Sequence, residues 1–540
     1  MKLRLLAALV ALGGCSAAPA QLPSRPRLIV AISVDQFSAD LFAEYRQHFT
    51  GGLRRLSEGA AFPAGFQSHA ATETCPGHST ILTGDRPART GIVANNWTDL
   101  GAARDDKYIY CAEDERVPGS ESDHYTVSDL HLRVPTLGDL MRRADPASRV
   151  VAIAGKDRAA VMMGGHNPNQ RWWWEDGAFV THAGNATPPA VAAANARAAR
   201  ALAAAHDPMP LDPLCAGRSR AVAVGSGTRT VGEGRFARPA DDQALFRASP
   251  EFDAAILDLA TSLRESMQLG QGPATDLIAI GVSATDYVGH RYGTQGGEMC
   301  LQLLALDRAL GAFFATLDRA GIDYAVVLTA DHGGLDLPER ARAQGVADAA
   351  RVDPALDADA MNGALAARLG MTGRILYGDG PFGDMYVARG LPEPTRRRIR
   401  DEAVRAYRAH PQIAAVFTRE EIAATPSPTG PPDAWSLLQR ARASFDAERS
   451  GDFVVLLKSR ITPISDTSRG YVATHGSVWD YDRRVPIIFW RPGYPAQVID
   501  QPVETVDILP TIASSMGLAL APGTIDGKCL AAAPGAVCAR

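Results

Sequence analysis

Five short apolar runs set what this chain can become: Leu28–Val34, Val150–Ala154, Leu277–Val282, Ala325–Thr329 and Val485–Trp490. They are rich in β-branched residues and do not alternate with polar ones. An alternating strand has one wet face. A strand that does not alternate is covered on both faces, as in a parallel sheet flanked by helices. All five are therefore predicted as buried parallel strands. Helical patterns fill the intervals. Ser249-Pro250-Glu251 reads as an N-cap with proline in the first helical position. Phe252, Ile256, Leu259, Leu263 and Met267 then recur at helical spacing, and Gly270 closes the helix. A second helix is predicted in the alanine-rich stretch near 189–205. Strands alternating with helices predict an α/β fold with a doubly wound, mostly parallel central sheet.

A chain of 540 residues has room for several domains or for one large α/β unit with insertions. The second is predicted: one catalytic domain over 25–530, with cap or subdomain insertions at about 97–135, 160–240 and 340–465. The insertion at 160–240 carries Trp172-Trp173-Trp174, expected to pack in core or cap. Hydrophobic residues at 46% exclude a disordered chain, and a net charge of −5 gives no global attraction to nucleic acid.

The N-terminus reads as an export signal over 1–20. Lys2 and Arg4 precede the apolar run Leu5–Leu12, which is too short to span a bilayer. Two processing routes are open. Ala18-Pro19-Ala20 suits ordinary cleavage, whereas Leu12-Gly13-Gly14-Cys15 resembles a lipobox that would anchor the chain through a lipid on Cys15. The expected location is periplasmic or secreted, or the outer membrane for a lipoprotein. Either route removes Cys15 from the seven cysteines and leaves 75, 111, 215, 300, 529 and 538. Six cysteines allow fifteen pairings, and chain order suggests 75–111, 215–300 and 529–538.

Four of the strands end in chemistry. Leu28–Val34 runs into Asp35, Leu277–Val282 is followed by Asp286 and His290, Ala325–Thr329 leads to Asp331-His332, and Val150–Ala154 ends at Gly155-Lys156-Asp157-Arg158. Ligands of open α/β sheets bind outside the carboxyl ends of strands, so these residues are expected at one edge. Carboxylate with imidazole suits zinc or a similar divalent metal. Asp286 and His290 are four apart, one helical turn. His475 in Thr474-His475-Gly476-Ser477 is a further candidate. Lysine is scarce here, with 5 against 50 arginines, so Lys156 beside Arg158 reads as a placed pair rather than an incidental charge.

A nucleophile is available in Thr72-Glu73-Thr74-Cys75-Pro76-Gly77-His78. Pro76 and Gly84 bracket a short helix with Thr74 at its N-terminus, where backbone N–H groups favour an alkoxide and a phosphoryl group. Thr74 is weighed against a plain N-cap. Cys75, the rival nucleophile, is better suited to a disulfide.

Together these pieces resemble the alkaline phosphatase superfamily, in particular bacterial threonine-nucleophile alkaline phosphatases related to the type I phosphodiesterase/nucleotide pyrophosphatases. The resemblance runs from about Arg27 to Gly527. It also includes Thr83-Gly84, Gly91-Ile92 with Asn95, Thr505-Val506-Asp507 and Asp526-Gly527. It implies one zinc on Asp286, His290 and His475, and another on Asp35, Asp331 and His332 with Thr74 Oγ. Calcium or another divalent ion is left open. It further implies that Asn95, Lys156 and Arg158 contact the phosphate oxygens.

The expected function is an exported alkaline phosphatase acting on small phosphate monoesters through a phospho-threonine. The alternative is a phosphodiesterase or nucleotide pyrophosphatase using the same metals. An inactive zinc-binding scaffold protein is disfavoured by the intact nucleophile. A sulfatase is disfavoured because Cys75-Pro76-Gly77-His78-Ser79 lacks the formylglycine order. No nucleic-acid partner is required, and the oligomeric state is left open. His69, His166 and His182 are expected on the surface or cap.

Overall fold

Ten strands form the central sheet of the computed structural model, which describes residues 25–538 except 226 and 228. The predicted signal over 1–20, with Cys15, lies outside the described residues. In chain order the strands are β1 Leu28–Val34, β2 Ala60–Phe66, β3 Val150–Ala154, β4 Gln170–Glu175, β5 Ala178–Val180, β6 Asp276–Val282, β7 Tyr324–Thr329, β8 Arg484–Trp490, β9 Gln497–Val498 and β10 Val503–Glu504. Across the sheet the order is β9-β2-β8-β7-β1-β6-β3-β4-β5, with β10 also pairing with β2. The fold is the expected α/β sheet, mostly parallel at its centre. β1 runs parallel to both β6 and β7, β6 to β3, and β3 to β4.

The central strands are buried on both faces. Val30 and Ile32 of β1 face one apolar cluster with Ile278, Ile280, Ile256 and Leu310. Ile29 and Ala31 face the opposite cluster with Leu277, Ala279, Leu509 and Ile512. Successive side chains of a strand point to opposite faces, so two helical layers consume every residue of the run. The helix Pro250–Ser266 covers the first face together with Gly297–Arg319, while Ile508–Met516 covers the second. The alanine-rich helix spans Pro189–Ala203.

Two expectations are corrected. β8 is antiparallel to both β7 and β2. Burial on both faces produces the same unbroken apolar run whatever the strand direction; direction follows from the connection. The chain passes His475 at the carboxyl edge of the sheet and enters β8 from that edge, since Leu328 of β7 pairs with Ile488. Residues 170–180, read with the insertions, form β4 and β5 of the main sheet. Trp172 and Trp174 pack in the main core, and Trp173 packs on the other side against Ala159 and Ala160.

Residues 376–457 build a second, four-stranded sheet from Leu376–Gly378, Gly383–Val387, Phe453–Leu457 and Ile413–Thr418. It has its own core around Leu365, Met385, Ile399, Tyr407 and Phe453. Disulfides join Cys75 to Cys111, Cys215 to Cys300 and Cys529 to Cys538, as chain order suggested.

Candidate active site

Parallel register brings the carboxyl ends of four strands level. Val34 pairs with Val282, Ser33 with Thr329, and Gly281 with Ala154. Asp35, Asp286, Asp331 and Lys156 leave the sheet at that edge. There the side chains fall into two buried groups, Asp286 with His290 and His475, and Asp35 with Asp331 and His332. Within each group the ligand atoms lie within 4.8 Å of one another. Asp286 and His290 occupy successive turns of the helix Ala284–Tyr292, so both project on one face. His475 arrives from the chain preceding β8, and its ring stacks on His332 at 3.5 Å, joining the groups.

The imidazoles are held ready for ligation. His290 Nδ1 bonds the Ala473 carbonyl at 2.9 Å, His332 Nδ1 the Gly333 carbonyl at 2.8 Å, and His475 Nδ1 the Thr72 carbonyl at 2.9 Å. A carbonyl only accepts, so Nδ1 carries the proton and Nε2 presents a lone pair. Burial keeps His332 below and His475 well below the ordinary imidazole pKa, so both are neutral. Burial, with Asp286 and Asp331 nearby, pushes Asp35 well above the usual carboxylate range.

This donor set fits divalent cations. Asp35 Oδ1, Asp331 Oδ2 and His332 Nε2 are buried and make no hydrogen bond. His332 Nε2 lies 3.2 Å from Asp331 Oδ2 and 3.5 Å from Asp35 Oδ1. Opposed buried lone pairs of this kind are costly unless a cation lies among them. Oxygen with imidazole nitrogen suits a borderline divalent metal.

Thr74 is the first residue of the helix Thr74–Ile81; Glu73 is the extended N-cap, which disposes of the plain-cap reading. Gly77 lets this helix approach, because a Cβ there would meet the Asp331 carbonyl at 2.1 Å. Thr74 Oγ1 accepts a long hydrogen bond from Lys156 Nζ at 3.4 Å. The same ammonium lies 2.6 Å from Asp35 Oδ2 and 2.5 Å from Asp286 Oδ2, touching one carboxylate from each group. Asn95 Oδ1 accepts from the Cys75 N–H at 2.8 Å, and its side-chain NH2 makes no hydrogen bond among the described residues. Arg158 NH1 reaches Tyr110 Oη at 3.4 Å.

Several contributing residues carried no readable signal. Gln36 follows Asp35 with φ +64°, a left-handed conformation that is uncommon outside glycine. Its Nε2 donates to Asp286 Oδ1 at 2.8 Å and its backbone N–H to Asp331 Oδ1 at 3.1 Å, so it spans both groups. His78 places Nδ1 at 3.1 Å from Asp331 Oδ2 and 2.9 Å from the Thr74 carbonyl. Tyr110 and Tyr125 donate to the two oxygens of Asp157 at 2.8 and 2.9 Å, buttressing the turn that carries Lys156 and Arg158. The Cys75–Cys111 disulfide ties this insertion to the helix Thr74–Ile81. His69 is fully buried rather than on the surface, because the backbone after β2 turns inward beneath Arg483.

Known proteins resemble the chain across this whole arrangement. A family model described as type I phosphodiesterase / nucleotide pyrophosphatase matches residues 29–478. Alkaline phosphatase PhoK from a Sphingomonas species is 57% identical over 511 residues, covering 94% of this chain and 91% of that protein. Alkaline phosphatase PhoD from Zymomonas mobilis is 48% identical over 513 residues, covering 94% and 88%. The crystal structure of alkaline phosphatase PafA superposes with a TM-score of 0.78 at 25% identity, covering 91% of this chain and 96% of that one. This chain belongs to the type I phosphodiesterase/nucleotide pyrophosphatase family, within the alkaline phosphatase superfamily.

Proposed function

We propose that this protein is an exported alkaline phosphatase that hydrolyses small phosphate monoesters through a phospho-threonine at Thr74. The observation carrying this reading is the meeting of Thr74, Lys156 and two buried Asp/His groups at one sheet edge. The names of the relatives support it. Two zinc ions would supply the Lewis-acid charge that activates the nucleophile and stabilises the leaving oxygen, one on Asp286, His290 and His475, the other on Asp35, Asp331 and His332 with Thr74 Oγ.

The chain's own groups do the rest. Thr74 Oγ attacks phosphorus as the bond to the alcohol breaks, and water then cleaves the phospho-threonine to release phosphate. Asn95 Nδ2, Arg158 and Lys156 would hold the non-bridging oxygens. Arginine grips two oxygens and lysine offers a compact charge. A monoester carries one more negative charge than a diester, so this pair of cations favours monoesters. Activity should rise with pH as nucleophile and ligands lose protons. Three disulfides fit an oxidising compartment, periplasmic or secreted.

The description of the matching family model favours one second reading, a phosphodiesterase or nucleotide pyrophosphatase. The test is turnover of a matched monoester and diester by protein of measured metal content. Faster turnover of the diester overturns the monoesterase reading. Thr74→Ala should retain metal and lose both turnover and the phosphorylated peptide seen by mass spectrometry.

A further inference from the structure

We propose that Arg247, framed by Tyr287 and Tyr471, forms an anion subsite beside the Asp286/His290/His475 group. It would take a carboxylate or second phosphate carried by the leaving group of the substrate. The inference rests on the phosphomonoesterase reading and narrows its substrate class.

The placement of Arg247 begins in the core. It is the last residue of the short helix Gln243–Arg247. Phe246 before it is fully buried, stacked on Trp174 at 5.6 Å and edge-on to Phe252 at 6.0 Å. That aromatic anchor fixes the helix end and holds Arg247 over Tyr287, its guanidinium carbon 5.1 Å from the ring centre. Lys156 Nζ lies 5.2 Å from the centre of the same ring. Tyr287 sits between Asp286 and His290 on one helix. One aromatic ring thus carries both Arg247 and the lysine of the phosphate site. Tyr471 completes the rim: its ring lies flat on His290 at 4.6 Å and is 45% exposed.

The Arg247 Nε is unsatisfied there. Arg247 makes no ion pair and no hydrogen bond among the described residues, and its Nε is buried. Two arginines of the neighbouring segment pair with carboxylates, Arg218 with Glu44 and Arg238 with Glu251. A buried Nε–H without an acceptor is costly, and the planar guanidinium fork matches carboxylate or phosphate. The reacting phosphoryl group already has Lys156, Arg158 and Asn95. Arg247 flanks instead the ligand group assigned to the leaving oxygen, so its anion belongs to the leaving group.

The test compares glycerol 3-phosphate with 3-phosphoglycerate, which carries one added carboxylate. Steady-state kinetics use the metal-loaded chain, Arg247→Gln and Arg247→Lys. Arg247→Gln should lose at least tenfold more kcat/KM on 3-phosphoglycerate than on glycerol 3-phosphate, chiefly through KM, with Arg247→Lys in between. Independently of any variant, glycerate should inhibit the unaltered enzyme at least tenfold more strongly than glycerol. Equal losses on both substrates, or equal inhibition by both products, overturn the subsite while leaving the phosphatase reading intact. Failure of the unaltered enzyme on both substrates overturns the two together.

Discussion

Replacing Lys156 with methionine should weaken the metal-stripped protein and at the same time tighten its hold on divalent cations. Lys156 is 4% exposed, and its ammonium touches Asp35 at 2.6 Å and Asp286 at 2.5 Å. Burial opposes its charge, yet Asp286 and Asp35 outweigh burial and hold it above the ordinary lysine pKa. Removing one partner of a buried pair costs about 3–5 kcal/mol, because the other charge is left uncompensated. Here the stranded charges are Asp35 and Asp286, with Asp331 beside them. In metal-loaded protein the same oxygens face two divalent charges, so the loss should be much smaller. By the thermodynamic cycle, a difference of about 3 kcal/mol appears as roughly hundredfold tighter metal binding. Urea unfolding of stripped and loaded forms reads the first leg, and competition against a chromogenic chelator reads the second. Monoester turnover should fall, since the phosphate contact proposed for Lys156 is lost. Affinity and activity would then move in opposite directions, which misfolding does not produce. Equal destabilisation with and without metal, or weakened metal binding, would refute the reasoning.

Three other outcomes are expected. Gln36→Ala removes the donor to Asp286 and should lower metal affinity by about 10–100-fold, as losses around ligands do; unchanged affinity in the same competition assay contradicts the bridging role. Asp482 is buried and pushed up to about 7 by burial, against the opposing hydrogen bonds from Ser477. Between about pH 4 and 7 the unfolded chain releases this proton while the folded chain keeps it, so stability falls as pH rises by up to about 4 kcal/mol. Asp482→Asn should flatten that part of the stability–pH curve, and an unchanged slope counts against it. Cys215→Ser opens a disulfide spanning 85 residues and should cost about 4–5 kcal/mol if chain entropy dominates; a urea midpoint near that of the parent protein counts against it.

The two Asp/His groups were legible because their signals are local. A strand that ends at Asp35 or Asp331 places a carboxylate at a sheet edge whatever surrounds it, and Asp286 with His290 shares a helix face by spacing alone. The tryptophan run was misleading for the opposite reason. Three adjacent aromatic residues have no period, so Trp172–Trp174 carried no strand signature until β3 was there to pair with them. The direction of β8 was hidden as well, since its apolar run is the same read either way. Gln36 had no signal at all. Its role depends on a positive φ and on Gly289 and Gly334, where an added Cβ would come within 1.6 and 2.8 Å of it.

The sequence by itself determined the central strands, the residues at their ends and a chemistry of carboxylate, imidazole and hydroxyl, because backbone period and side-chain type are properties of short segments. The tertiary structure decided which of those residues gather into each Asp/His group, how Lys156 lies between two carboxylates, and why Arg247 comes beside the site. Those contacts join residues up to several hundred positions apart, and only the packing of both sheet faces brings them within reach.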